Sequence, residues 1–326
     1  MLNKRMKKTK LNKVFLIVSI TLFIVVVITT TLFYTTNIFQ KNILRLMCPD
    51  SASTFPIDYD SIMQSTDLIT HEYHINKQLD IIYPKDQSNP DIMLLVFHGG
   101  YYVGGGRHNQ EPYCRLIASK GYFVANIDYS LAPENPYPTQ LLEGIKAINY
   151  LKNQYPYVQK FVLSGDSAGA HLASQLTALI TNPKLQQEIS VNVEIDKNLI
   201  GGFIGNCGFY EASTVADTGF FMIKDSLKML MNNNDYKNDS RIQQLDITKY
   251  VDYFPPSLLI CGDEDLFLSQ NILMYNALHD AGIEVRTYFP TSTTKKLSHE
   301  FQCNYDLSES YIANNHIIEF LKSILI

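Results

Sequence analysis

A serine framed by two glycines, Gly165-Asp166-Ser167-Ala168-Gly169, stands where a short apolar run meets a helical pattern. Residues 161–163 read as a buried strand and residues 170–176 open a helix. Strand, tight turn and helix in that order make Gly-x-Ser-x-Gly a nucleophile elbow. The turn is sharp enough that a side chain at Gly165 or Gly169 would collide with its neighbours. Ser167 is then held in strained backbone geometry, its hydroxyl lifted above the sheet and over a helix N-terminus.

A serine hydroxyl is a weak nucleophile at neutral pH and needs a base, and the base needs a third group to fix its tautomer. His299 lies ten residues past a strand ending at Phe289, in the loop before the last helix. Its position suits a base reaching over the ends of the strands. His279 and His316 fall on helices and read as packed or solvated; His71 and His74 have no evident partner. His171, one helical turn beyond Ser167, reads as structural support. Gly262-Asp263-Glu264-Asp265 follows the apolar strand 258–261 and offers three acids. Asp265 has the offset from the strand end that an imidazole partner needs, with Leu266 and Leu268 packing behind it. Ser167, Asp265 and His299 are therefore the candidate catalytic residues.

His98-Gly99-Gly100-Tyr101-Tyr102 directly follows the strand 92–97. Without a Cβ in the way, the N–H groups of Gly99 and Gly100 can approach an oxyanion and, with that of Ala168, form the hole that binds it. His98 reads as orienting this loop. Tyr101 and Tyr102 are the candidate substrate-pocket residues, narrowing the space for an acyl group.

These groups must be carried by a scaffold, and the remaining pattern supplies one. Apolar segments at 79–83, 92–97, 122–127, 161–163, 199–204, 258–261 and 285–289 read as strands. Helical patterns at 112–120, 139–153, 168–180, 268–281 and 308–325 lie between or after them. The alternation predicts an α/β fold, a mostly parallel sheet covered by helices on both faces. Residues 206–256 break the rhythm and read as a small cap-like insertion of short helices.

Of 326 residues, 46% are hydrophobic and 18% charged, which suits a sizeable core, and the net charge of -5 argues against nucleic-acid binding. Residues 14–33 carry no charge and would span about 30 Å as a helix, one hydrocarbon core. Six basic residues precede that run, so the positive-inside rule keeps the N-terminus cytoplasmic and sends the catalytic part to the extracytoplasmic or lumenal side. No small-residue cleavage site follows it, so it reads as an uncleaved signal anchor. The expected organisation is a basic tail at 1–13, a transmembrane anchor at 14–33, a linker and cap segment at 34–74, and a catalytic domain at 75–326. Residues 43–47 read as a short helix within the linker. Five dispersed cysteines include no C-x-x-C, which argues against a zinc site, and their odd number leaves at least one unpaired. Asn238-Asp239-Ser240 is a glycosylation sequon.

His98-Gly99-Gly100, then Tyr129-Ser130-Leu131-Ala132-Pro133-Glu134-Asn135-Pro136-Tyr137-Pro138, then Gly165-Asp166-Ser167-Ala168-Gly169, resemble the hormone-sensitive-lipase-like branch of the α/β-hydrolases. That branch includes microbial carboxylesterases and membrane-anchored arylacetamide deacetylases, and the resemblance covers residues 75–326. It implies an α/β-hydrolase fold with a helical cap, and hydrolysis of a small-molecule carboxylic ester without cofactor or metal. The order Ser167, Asp265, His299 is also that of the α/β-hydrolases. Two positions depart from the branch: Tyr101 replaces a common third glycine, and Ala170-His171 replaces Gly-Asn. Both departures resemble the kynurenine-formamidase-like esterases, so ester and formyl-amide substrates are both open. A peptidase on the same triad and a catalytically silent binding domain are the other readings; oligomeric state is left open.

Overall fold

The structure, a computed structural model, describes residues 2–35, 37–86, 91–291 and 295–324. Thr36, just past the anchor, and Leu325, at the end of the last expected helix, lie outside the described residues, as do the side chains of residues 1–12 and 32–36. The chain divides into two units, residues 1–43 and 44–326. The first is dominated by helix α1 (Leu2–Thr35). Within it Lys13–Thr31 has a mean hydropathy of 2.7 and buries none of its surface in protein. Its threonines are accommodated because Thr21, Thr29, Thr30 and Thr31 turn their hydroxyls back onto carbonyls one turn earlier. By length and composition this helix can cross a membrane. The short α2 (Ile38–Met47) contains the point where the two units divide.

The second unit is built on an eight-stranded sheet in the order β1-β2-β4-β3-β5-β6-β7-β8. The strands are β1 (Thr66–His74), β2 (Lys77–Pro84), β3 (Ile92–Phe97), β4 (Phe123–Ile127), β5 (Lys160–Asp166), β6 (Ile200–Asn206), β7 (Ser257–Ile260) and β8 (Val285–Tyr288). β1 and β2 are antiparallel, as are β2 and β4; the other pairings are parallel. The expected mostly parallel sheet is present, with one strand more than the sequence pattern reveals. β1 escapes notice because it is an exposed edge: only Thr66 and Tyr73 on it are buried, so its apolar alternation is weak.

Alternation along the central strands separates two cores. Met93, Leu95 and Phe97 of β3 and Phe161 and Leu163 of β5 face a cluster completed by α5 (Thr139–Gln154), α6 (Ala168–Thr181) and α9 (Leu268–Asp280). Leu94, Val96 and Val162 point the other way, toward α4 (Arg107–Ala118) and α10 (Ser308–Ser323). Every residue of α6 is buried, and its polar residues are absorbed internally: Ser174, Thr177 and Thr181 return their hydroxyls to carbonyls of the preceding turn. Pro112, read from sequence as the start of a helix, sits inside α4 instead. The Asp50 carboxylate accepts the N–H of His108 at 2.9 Å and caps the earlier start.

Residues 206–256 form α8 (Ile223–Met231) and short 3-10 turns rather than a strand–helix repeat. Tyr236, Leu245, Ile247 and Tyr250 of this stretch are buried in the same cluster as α6, so the insertion is packed down as part of the core.

Candidate active site

Ser167 occupies the turn between β5 and α6 with φ 52° and ψ −118°, the strained geometry its motif requires. Close packing fixes the flanking glycines. A Cβ at Gly165 would overlap the backbone of Gly169, and one at Gly169 would overlap the carbonyl of Phe97. Ser167 is thereby locked against the end of β3.

The two partners arrive from loops beyond β7 and β8. His299 Nε2 lies 2.9 Å from Ser167 Oγ, and His299 Nδ1 lies 2.8 Å from Asp265 Oδ2. Asp265 is oriented by its other oxygen, which accepts the N–H of Phe267 at 2.8 Å. The neighbouring acids are engaged elsewhere: Asp263 accepts the N–H of Leu297, and Glu264 pairs with Lys296. Of the three acids in the loop, Asp265 is the one that meets the imidazole. With a carboxylate on Nδ1, that nitrogen carries the proton and Nε2 is left to accept from the serine.

Burial pulls the His299 pKa down, but the hydrogen bond and charge of Asp265, aided by Glu300, outweigh it and raise it above the ordinary value of 6.5. A base works only when unprotonated, so activity is lost as pH falls through this raised pKa. A kcat/KM profile should therefore show its acid limb above pH 6.5; a limb below that value would contradict this balance of forces.

The oxyanion loop needs one correction. Gly99 donates its N–H to Asp166 Oδ1 at 3.0 Å, so it is not free to serve the oxyanion as the sequence suggested. The elbow's own acid captures it, a tertiary contact that spacing does not announce. Ala168 directly follows Ser167 at the start of α6, and Gly100 turns with φ 106°. The loop is braced by His98, whose ring stacks on Tyr129 at 4.2 Å and whose Nδ1 lies 2.7 Å from the Gly99 carbonyl.

The two tyrosines of the loop diverge. Tyr102 is turned into the core, 1% exposed, its phenol 2.8 Å from His171 Nδ1. His171 Nε2 in turn donates to the Leu245 carbonyl at 2.9 Å, and burial pushes this histidine down to about 4. It is a neutral brace, in keeping with a supporting role. Tyr101 instead lies with its ring 5.6 Å from Phe220, which stands 4.7 Å from the His299 ring and stacks on Phe267 at 4.1 Å. Phe220, Phe267, Asp166 and Glu300 all border the site without having been singled out from sequence. Only the adjacency of Asp166 to Ser167 and of Glu300 to His299 could have marked the two acids.

Among the described residues one group offers metal-ligand atoms: Cys207, Asp265 and His299 lie within 4.8 Å of one another. Two of the three are already joined to each other, and Cys207 is a buried thiol whose pKa burial drives upward. All five cysteines are free thiols. The remaining histidines lie away from Ser167: His74 meets Lys146, and His316 stacks on Tyr288.

Residues 94–302 match the family described by its alpha/beta hydrolase fold. Zebrafish (Danio rerio) kynurenine formamidase is 25% identical over 211 residues, covering 64% of this chain and 67% of that protein. Human hormone-sensitive lipase is 35% identical over 98 residues, 28% of this chain and 9% of its own length. Among solved structures, esterase B from Lactobacillus Rhamnosis superposes with a TM-score of 0.71 at 20% identity, covering 91% of this chain and 94% of that one. Sheet order, elbow and family match agree: the chain belongs to the α/β-hydrolase fold family, as a hydrolase of the esterase/lipase type.

Proposed function

We propose that this protein is a membrane-anchored serine hydrolase that cleaves small carboxylic esters with short acyl groups through an acyl-enzyme on Ser167. The observation that carries the reading is the single imidazole of His299 within hydrogen-bonding distance of both Ser167 and Asp265. His299 takes the proton of Ser167 as its oxygen attacks the carbonyl. The N–H groups of Gly100 and Ala168 receive the oxyanion. His299 then protonates the leaving alcohol, and water repeats the two steps to release the acid. No cofactor enters this scheme.

The short-acyl preference rests on Tyr101. Its backbone is left-handed, with φ 60°, and its ring closes on Phe220 where a glycine would leave space. A panel of p-nitrophenyl esters should show acetyl and butyryl preferred over octanoyl in wild type, and Tyr101→Gly should shift the preference toward octanoyl by at least about tenfold in kcat/KM, the low end of what one methylene is worth in an apolar pocket. An unchanged ratio would remove Tyr101 from the pocket.

A formamidase is the second reading, favoured by the zebrafish relative and by the Tyr101 and Ala170-His171 departures. N-formylkynurenine run in the same panel separates the two. A silent binding domain and a peptidase use the same fold; turnover of the small esters argues against the first and sets the reference rate for the second.

The anchor reading is supported by the apolar stretch Lys13–Thr31 and the six basic residues before position 14. The full-length protein should stay with the membrane pellet in alkaline carbonate, while its catalytic domain is digested only by protease added on the extracytoplasmic or lumenal side. Release into the supernatant would argue against an uncleaved anchor.

A further inference from the structure

Two clefts meet at Glu300. One, of about 270 Å³, is bordered by Gly99, Gly100, Asp166 and Glu300 beneath residues 47–53. The other, of about 300 Å³, runs past His299 and Glu300 to Tyr305 and Asp306. Ser53, Asn109 and Glu300 line both. Among the described residues lining them there is no lysine or arginine, whereas Asp166, Glu300 and Asp306 contribute carboxyl groups. At the deep end Tyr305 is buried, and its phenol oxygen has no protein partner.

The two inner acids act as a pair. Asp166 Oδ1 accepts from the Gly99 N–H at 3.0 Å and from Gln110 Nε2 at 2.8 Å. Its other oxygen faces Glu300: a Cβ added at Gly99 would run into Asp166 Oδ2 and stand 3.0 Å from Glu300 Oε1. Burial, then the charge and hydrogen bond of Glu300, push the Asp166 carboxyl well above its usual range, which favours its protonated form. Of the two acids, the one that can present its charge to the cleft is Glu300, whose side chain is 41% exposed, whereas Asp166 is buried. Glu300 Oε1 lies 3.9 Å from His299 Nε2, the nitrogen that must hand a proton to the leaving alcohol. That places the charge on the leaving-group side. The other wall of the site, made by Tyr101, Phe220 and Phe267, is aromatic.

We propose that this cleft receives the alcohol portion of the substrate and that Glu300 makes the enzyme select alcohols bearing an ammonium group. The inference rests on the esterase reading of Ser167. Alcohols bearing a carboxylate or phosphate are disfavoured by the same charge.

Acetylcholine and 3,3-dimethylbutyl acetate test it, because they share an acyl group and a shape and differ in charge. With full-length protein, kcat/KM should favour acetylcholine by about tenfold, the scale of one partly screened charge contact. The preference should shrink as NaCl is raised. In Glu300→Gln the ratio should fall to about one; using a ratio cancels whatever the substitution does to the nearby base. Tetramethylammonium should compete with p-nitrophenyl acetate in the wild type. A wild-type ratio of one or below, a ratio unchanged in Glu300→Gln, or turnover of neither ester with no inhibition by tetramethylammonium overturns the proposal. The wild-type ratio and its salt dependence decide even if the variant does not fold. Hydrolysis of the neutral ester that survives Ser167→Ala would instead defeat the esterase reading; hydrolysis that needs Ser167 but ignores charge would defeat only this inference.

Discussion

Ser167→Ala should reduce kcat on p-nitrophenyl acetate by about 10⁶-fold, the loss expected when the nucleophile of a cooperating triad is deleted. Alanine keeps the Cβ that already sits at φ 52°, so the elbow bears no new strain. The lost hydroxyl makes its described side-chain contact to His299, which lies in the site rather than the core. Unfolding temperature should therefore be nearly unchanged while turnover and labelling by a fluorophosphonate probe disappear. Esterase activity or labelling that persists in the variant would move the chemistry to another residue.

Asp265→Asn should cost about 10⁴-fold in kcat, for a reason readable in its two hydrogen bonds. One carboxylate oxygen accepts from the Phe267 N–H and the other from His299 Nδ1. An asparagine can keep the first only by turning its NH₂ toward the ring. Nδ1 would then have to accept, Nε2 would carry the proton, and the serine would lose its base. The same change removes the Asp265 charge and hydrogen bond, the larger influences that raise the His299 pKa, so the remaining activity should have its acid limb at lower pH than wild type. A loss of less than about tenfold would mean that Asp265 is not the orienting acid.

The parts of this site that were legible in sequence are those set by the ends of strands. Ser167 follows β5, the oxyanion loop follows β3, and Asp265 follows β7, so apolar runs with the motifs after them placed all three at the carboxyl ends of parallel strands. His299 was found by its offset from β8. What stayed hidden depended on which way a side chain turns after the loop has been placed. Tyr101 and Tyr102 are adjacent and chemically alike, yet a histidine one helical turn past the nucleophile draws one of them inward. Gly99 looked like an oxyanion donor until Asp166 was seen to occupy its N–H. Phe220 belongs to a stretch with no periodicity, and its approach to His299 is decided by packing on Phe267. β1 went unread because polar residues interrupt it: Thr66, Asp67, Thr70, His71, Glu72 and His74 leave no apolar run.

The insertion is stitched to the loop opposite Ser167 at two points. The Ser226 hydroxyl donates to the Tyr101 carbonyl at 2.6 Å, and His171 links the Tyr102 phenol to the Leu245 carbonyl. Selectivity and turnover are consequently not separable modules here. Under the proposed mechanism, a change in residues 206–256 that suits a new compound also bears on the loop that carries Gly100 and Tyr101. A foreign insertion grafted without a matching loop would lose both ties, the Ser226 hydroxyl to the Tyr101 carbonyl and the Leu245 carbonyl to His171.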